Sequence, residues 1–492
     1  MTHLSRRVRL AAALTSVVVW PWPLGVSADD APKKPPIVIR AAQLHVGNGE
    51  IIENGAVLVE GGRIAAVGVD IAIPDGARVI ERKDGAITPG LIDANAEVTP
   101  ADMMTMDRRN ARQVLRDLFE SHEGHQHGPG VDCCGSSCPL SMQHVEGQKC
   151  PACGFPDTAP AFAVGTRFEF GGVEGSSEVI PHTRVIDAVH LSSPDFGRLL
   201  RGGVTTVYVA PDSAAVIGSM GAIVRTGGPV GDRIVKETDG VTAAMGTDPS
   251  WRGPSNQRPW REFVSFYARR PTTRMGVAWV FRKALHDTQR QEQGIALHGA
   301  DTPSPAAMRV LRQVLSGEIP LRIQARMQHD ILTALRLAKE FKLSFTLVEG
   351  TEAYKCIEEL KESRTPVVFG PIYVAAPGMR GATLEINDNR LHTFKALFDA
   401  GVTTALTAHE LRDEDGLARQ AMYARRLGVP LAEVTRAVTS TPAAILGLSD
   451  QIGSIEAGKR ADIVLWDGEP FDGTSKPVTT LVGGEVIDSA SN

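Results

Sequence analysis

The sequence predicts an α/β protein: a (β/α)8 TIM barrel with a small β-sandwich domain formed by the N- and C-terminal segments. Three observations carry this. The two ends of the chain share a texture of short apolar runs separated by glycine pairs. The middle alternates strand-like runs with helical periodicity, the pattern of a parallel sheet covered by helices. No Gly-x-Gly-x-x-Gly turn follows an early strand, which disfavours an open doubly wound sheet.

Taken in order, residues 1–28 read as a secretory signal peptide. Arg6, Arg7 and Arg9 form a basic start, an apolar run covers 10–20, and Val26-Ser27-Ala28 is a small-residue cleavage site. The run falls short of the roughly 20 apolar residues that span a bilayer. The chain is therefore expected to be exported, periplasmic or extracellular, with no transmembrane anchor after cleavage. Ser5-Arg6-Arg7 leaves Sec and twin-arginine export both open. Residues 29–36, rich in Pro and Lys, read as a disordered leader.

Strand-like runs follow at 37–39, 56–59 and 63–67, with Gly61-Gly62 as a hairpin turn. The same texture returns at 461–466, 480–482 and 485–487 around Gly483-Gly484. Segments 36–90 and 450–488 are thus expected to form one composite β-domain around a barrel at 91–449. In the barrel, Asp330 is the expected cap of a helix carrying Ile331, Leu335, Ala338 and Phe341 at helical spacing. Leu343, Phe345 and Leu347 alternate as a strand. Helix 352–360, strand 366–369, helix 391–399 closed by Gly401, and strand 402–406 come next. Barrel chemistry sits at the C-terminal ends of strands. That rule directs Asn95, Glu97, Gln324, Glu349 and His409 into one mouth.

Composition narrows the partners. Apolar content of 42% and charged content of 22% are ordinary for a soluble globular chain. A net charge of −5 and a pI near 6.2 give no basic footprint, so nucleic acid is not expected. The expected partner is a small-molecule substrate or ligand, with a homo-oligomer left open. No nucleotide cofactor is expected.

Thr88-Pro89-Gly90-Leu91-Ile92-Asp93-Ala94-Asn95-Ala96-Glu97 resembles the stretch that opens the metal site of the amidohydrolase superfamily, where Asn95 and Glu97 would both be histidine. Segments 203–207, 330–335, 352–355, 442–448 and especially 452–464 extend the likeness to the imidazolonepropionase-like branch. The resemblance implies one or two divalent metals, zinc being the expected ion. Its ligands would be two histidines after strand one, one histidine each on strands five and six, and an aspartate after strand eight. In this chain those positions carry Asn95, Glu97, Gln324, Glu349 and His409, so all five differ. Arg225 lies near the strand-four position at which binuclear relatives carry a carboxylated lysine. A guanidinium stays protonated and cannot take that role.

Every replacement is polar. Glu97, Glu349 and His409 would still offer two carboxylates and an imidazole to one metal, or the five would hydrogen-bond one another without it. The resemblance implies hydrolysis of a non-peptide carbon–nitrogen bond, of cyclic-amide or N-acyl type. The exchanged ligands equally support a catalytically silent relative that binds a small ligand or a partner.

Residues 120–158 are a Cys/His-rich insertion after the first barrel strand. Cys133, Cys134, Cys138, His144, Cys150 and Cys153 lie within it, preceded by His122, His125 and His127. Thiolate and imidazole donors at this spacing suit Zn²⁺ or Cu(I), giving a third reading as an extracytoplasmic metal-binding protein. An exported chain can instead staple such a loop with disulfides. Cys356, alone in a predicted helix, is read as a buried apolar residue.

Overall fold

The computed structural model describes residues 35–98, 177–251, 271–297, 299, 302–372, 391–412 and 416–488. The signal sequence 1–28, all but the end of the leader 29–36, and the insertion 120–158 with Cys133, Cys134, Cys138, His144, Cys150 and Cys153 lie outside the described residues.

The chain opens with strands β1 (Ile37–His45), β2 (Ile51–Glu53), β3 (Ala56–Glu60), β4 (Arg63–Gly68) and β5 (Arg78–Pro89). Across Gly90 it enters the central strands β6 (Leu91–Ala96), β7 (Val204–Val209), β8 (Ile217–Met220), β9 (Ala222–Arg225), β10 (Ile234–Lys236), β11 (Val241–Ala244), β12 (Leu321–Ala325), β13 (Phe345–Glu349), β14 (Val367–Phe369) and β15 (Thr404–Leu406). It ends with β16 (Ile463–Trp466), β17 (Pro477–Val482) and β18 (Glu485–Asp488).

The terminal strands share one continuous sheet in the order β18-β17-β16-β5-β1-β3-β4, with β2 on the edge of β1. Alternation along these strands collects Ile39, Leu44, Val57, Ile87, Ile463 and Leu481 in one buried cluster. The sheet is joined covalently to the centre by β5 running into β6. Within the sheet the buried Trp466 indole of β16 donates to the Thr88 hydroxyl of β5 at 3.0 Å, and Trp466 packs into the central core cluster.

In the centre, β6 pairs parallel with β7, and β11 through β15 pair parallel in chain order. The third position departs from the expected all-parallel pattern. The stretch 217–225 runs antiparallel to β7 through β9 and antiparallel to β11 through β8. Its physical cause lies in the connection. Residues 210–216 are fewer than the roughly dozen a parallel crossover takes, so the chain can only turn back. The strands at the two ends of the series, β6 and β15, are tied to each other by hydrogen bonds described below.

Helices α1 (Pro194–Arg201), α2 (Asp248–Trp251), α3 (Arg274–Glu292), α4 (Pro305–Leu315), α5 (Gln328–Phe341), α6 (Ile357–Ser363), α7 (Thr393–Asp399), α8 (Leu417–Arg426), α9 (Leu431–Ala437) and α10 (Ser440–Ile445) fill the connections. Local chemistry starts several of them. Ser193 caps α1 by accepting from the Asp195 N–H, with Pro194 at the first helical position. Ser304 caps α4 ahead of Pro305 in the same way. Helix α5 begins earlier than expected. Its cap is Met327, and Asp330 sits inside the first turn, where its carboxylate accepts from the Arg274 Nε at 2.9 Å. The inter-helix ion pair, not the cap, explains that aspartate. The inward faces of these helices pack Phe196, Phe281, Leu311, Ile331, Leu337 and Phe394 against the strands.

Period-two alternation sorts β12. Leu321, Ile323 and Ala325 join the helix-facing cluster, so Arg322 and Gln324 face the opposite side. There the buried Arg322 guanidinium lies 4.0 Å over the Tyr208 ring and pairs with Asp239 at 3.1 Å.

Candidate functional site

Two polar clusters sit at the C-terminal ends of the central strands. The first joins β6 to the segment after β15. Asp93, fully buried, accepts from the Asn95 N–H at 3.0 Å, the Thr407 hydroxyl at 2.6 Å and the Ala408 N–H at 3.0 Å. The Thr407 oxygen in turn accepts from the His409 N–H at 2.9 Å. This chain of bonds holds His409 at φ +53, a left-handed conformation that is costly for a residue with a side chain. His409 Nδ1 lies 3.2 Å from Asn95 Nδ2 and 3.1 Å from the Asn95 carbonyl oxygen. Its Nε2 faces the Glu97 carboxylate at 3.7 Å. Arg412 clasps the two segments, donating to the His409 carbonyl at 2.5 Å and to the Glu97 carbonyl.

The second cluster joins β12, β13 and the start of α2. The Arg326 guanidinium donates through both Nη atoms to Asp248, each at 2.8 Å, and through Nε to Glu349 at 2.6 Å. Gln324 Nε2 donates to Glu349 at 2.6 Å and to Asp248 at 3.2 Å. Because both neighbours are carboxylates, the amide must present its NH₂ to them. Ser213 adds a hydroxyl donor to Asp248 at 2.6 Å. All three charged side chains are at most 5% exposed. Burial opposes the Arg326 charge, but Asp248 and Glu349 more than offset it and hold the guanidinium protonated far above its usual range. Glu349, like His409, sits at positive φ, +69.

Asn95, Glu97 and His409 thus meet in one cluster and Gln324 and Glu349 in the other. Among the described residues, the set of His, Cys, Asp and Glu side chains whose ligand atoms lie within 4.8 Å of one another is Glu97, His409 and Glu410. Glu349 lies outside that set, and its carboxylate is engaged by Gln324 and Arg326. Arg225 is far from the role suggested by its sequence position. It pairs with Thr206 toward the start of β7 and donates to the Asp232 carbonyl at 3.2 Å. The residue delivered after β11, the fourth central position, is Asp248. Sequence reasoning missed Asp248, Arg326 and Glu410. Asp248 stands four residues beyond an apolar strand run and Arg326 two beyond Gln324, so strand-end position was the available signal. Cys356 is buried, with its thiol pushed up to about 12 chiefly by burial, and its Sγ lies 3.8 Å from the Gln328 carbonyl. It acts as a packed apolar group.

The amidohydrolase family model matches residues 398–488. A solved amidohydrolase from Thermotoga maritima is 28% identical, covers 92% of this chain and 99% of its own, and superposes with a TM-score of 0.66. These matches support membership of the amidohydrolase superfamily. An amidohydrolase of Hapsidospora irregularis, tasK, is 24% identical over 343 residues, 63% of this chain. The chain spans only 33% of that relative's length. An imidazolonepropionase from Sphingopyxis alaskensis is 48% identical over 52 residues, 10% of this chain and 13% of its own.

The superfamily typically binds divalent metal, and the two clusters fit such an ion differently. At the β12–β13 end the residues do not fit. Gln324 presents donors, and both carboxylates are bound to a cation that cannot lose its charge. At the β6–β15 end the donor set is chemically suitable: two carboxylates and an imidazole, with Nδ1–H directed to the Asn95 carbonyl in the tautomer that frees Nε2.

Proposed function

We propose that this amidohydrolase relative has given up the metal-dependent hydrolysis of its superfamily and binds a small polar ligand at the mouth of a (β/α)8-type barrel, flanked by a β-sandwich-like terminal sheet. The observation that carries this reading is the Arg326 guanidinium joined on two edges to Asp248 and Glu349. It occupies the half of the site where strands four, five and six would supply metal ligands. At the other end of the mouth Glu97, Glu410 and His409 stand together, an acidic set that suits a ligand carrying a cationic or hydrogen-bond-donor group.

A second reading rests on the same three side chains. They would hold one divalent ion, which would supply an activated water for a non-peptide carbon–nitrogen bond of cyclic-amide or N-acyl type. Here Asn95 fixes the His409 ring, and Glu97 lies within reach to exchange a proton.

The deciding experiment takes the purified chain through metal analysis, a calorimetric panel of amines, cyclic amides and N-acyl amino acids, and a turnover screen of that panel. Saturable binding lost in Glu97→Gln, without turnover in added Zn²⁺ or Mn²⁺, supports the binding protein. Turnover that needs metal and disappears in His409→Ala overturns it in favour of the hydrolase. The Cys/His-rich insertion is proposed as a separate metal-binding module. Thiol titration with and without reductant checks that, since fully disulfide-linked cysteines leave no donor set.

A further inference from the structure

We propose that Arg326 is the resident cation of this protein: a covalently attached counter-ion standing between Asp248 and Glu349, so that the cradle around it is a site for a planar guanidinium and not for a metal. The inference deepens the proposed function and rests on its view of the β12–β13 half of the site. It adds what that half recognises and what holds it together.

Geometry distinguishes a guanidinium cradle from a metal cage. Asp248 takes the two Nη atoms, one on each oxygen, at 2.8 Å. Glu349 takes Nε at 2.6 Å and Nη2 at 3.3 Å, again one on each oxygen. Two forks therefore meet two edges of one plane, the arrangement that makes arginine and lysine non-equivalent. A metal cage instead directs lone pairs from several ligands at one point. Gln324 fits the first design and not the second. Its NH₂ bridges the same two carboxylates, and its Oε1, buried, has no hydrogen-bond partner among the described residues. The exchanges at 324 and 349 and the arginine at 326 are thus mutually consistent: each donor added meets an acceptor added. A divalent ion entering beside Arg326 would meet a fixed positive charge at close range, and the arginine cannot discharge to admit it.

The test uses the full chain and reads stability, with His409→Ala as background so that the mouth cannot contribute metal. Truncation by Arg326→Ala takes the guanidinium away from two buried carboxylates, and the folded-to-unfolded ratio should fall roughly a hundred-fold or more. Guanidinium chloride far below denaturing concentrations should restore part of the thermal midpoint of Arg326→Ala. Equal concentrations of sodium chloride or urea should not, and the parent should show no such rise. Should Arg326→Ala fail to fold, the neutral set Arg326→Met, Asp248→Asn and Glu349→Gln keeps the question open to measurement. It should fold where Arg326→Met alone does not, because removing all three charges removes the imbalance.

Three results overturn the proposal: Arg326→Ala as stable as the parent, a neutral set no better than Arg326→Met alone, or one tightly held divalent ion in the parent that is lost in Asp248→Asn. None of these readouts involves ligand binding at the mouth. A failure of the binding reading and a failure of the counter-ion are therefore distinguishable.

Discussion

Asp93 ties the first central strand to the segment after the last, and its loss can be worked through. Its two carboxylate oxygens serve three donors: Asn95 N–H and the Thr407 hydroxyl on Oδ1, and Ala408 N–H on Oδ2. In Asp93→Ala the hydroxyl can turn to the Asn95 carbonyl, already 3.1 Å away. The two backbone N–H groups lose the acceptor they use. At about 1–3 kcal/mol for each buried donor left unpaired, the cost is about 2–6 kcal/mol. Asp93→Asn keeps the Oδ1 partners and turns only Oδ2 into a donor facing the Ala408 N–H, so about half that loss is expected. Urea unfolding of the full chain, followed by tryptophan fluorescence and circular dichroism, measures both. Because Thr407 relays Asp93 to the His409 N–H, Asp93→Ala should also weaken ligand or metal binding at His409 more than its stability loss requires. An asparagine variant as damaging as the alanine one, or both within about 0.5 kcal/mol of the parent, would refute the reasoning.

Two further outcomes are expected. His45 is buried with both ring nitrogens unpartnered among the described residues; burial lowers its pKa to about 4, with Glu469 raising and Arg425 lowering it further. The unfolded chain therefore binds a proton first, stability is full above about pH 6.5, and it falls as pH drops toward 4. Relative to His45→Leu, the parent should lose about 2 kcal/mol between pH 7 and pH 5, and parallel denaturation curves for the two proteins would contradict this. Gly370 has φ +140, and a Cβ there would run into the Thr407 carbonyl oxygen. Gly370→Ala should cost at least about 1–3 kcal/mol of stability, read as a lowered thermal midpoint, and an unchanged midpoint counts against this account of the glycine.

The likeness to the amidohydrolase superfamily was legible in the sequence. Motifs such as 88–97 and 452–464 are local, because they encode turns and strand ends whose geometry depends on adjacent residues. Between 330 and 406 the sequence also showed the alternation of strands and helices, where apolar period follows from one-sided burial. The direction of 217–225 was not legible there. An apolar run reads the same whichever way its partner runs, and only the short link before it decides. Asn95, Glu97, Gln324, Glu349 and His409 were all legible as strand-end polar residues. Their division into two clusters was not, because it depends on Asp248 and Arg326, brought by separate segments to within 3 Å of each other. Whether a buried carboxylate serves as a metal ligand or as the partner of an arginine is set by what faces it across the fold. That pairing of Glu349 with Arg326 is a tertiary fact: the cost of burying each charge is repaid only once both stand in place.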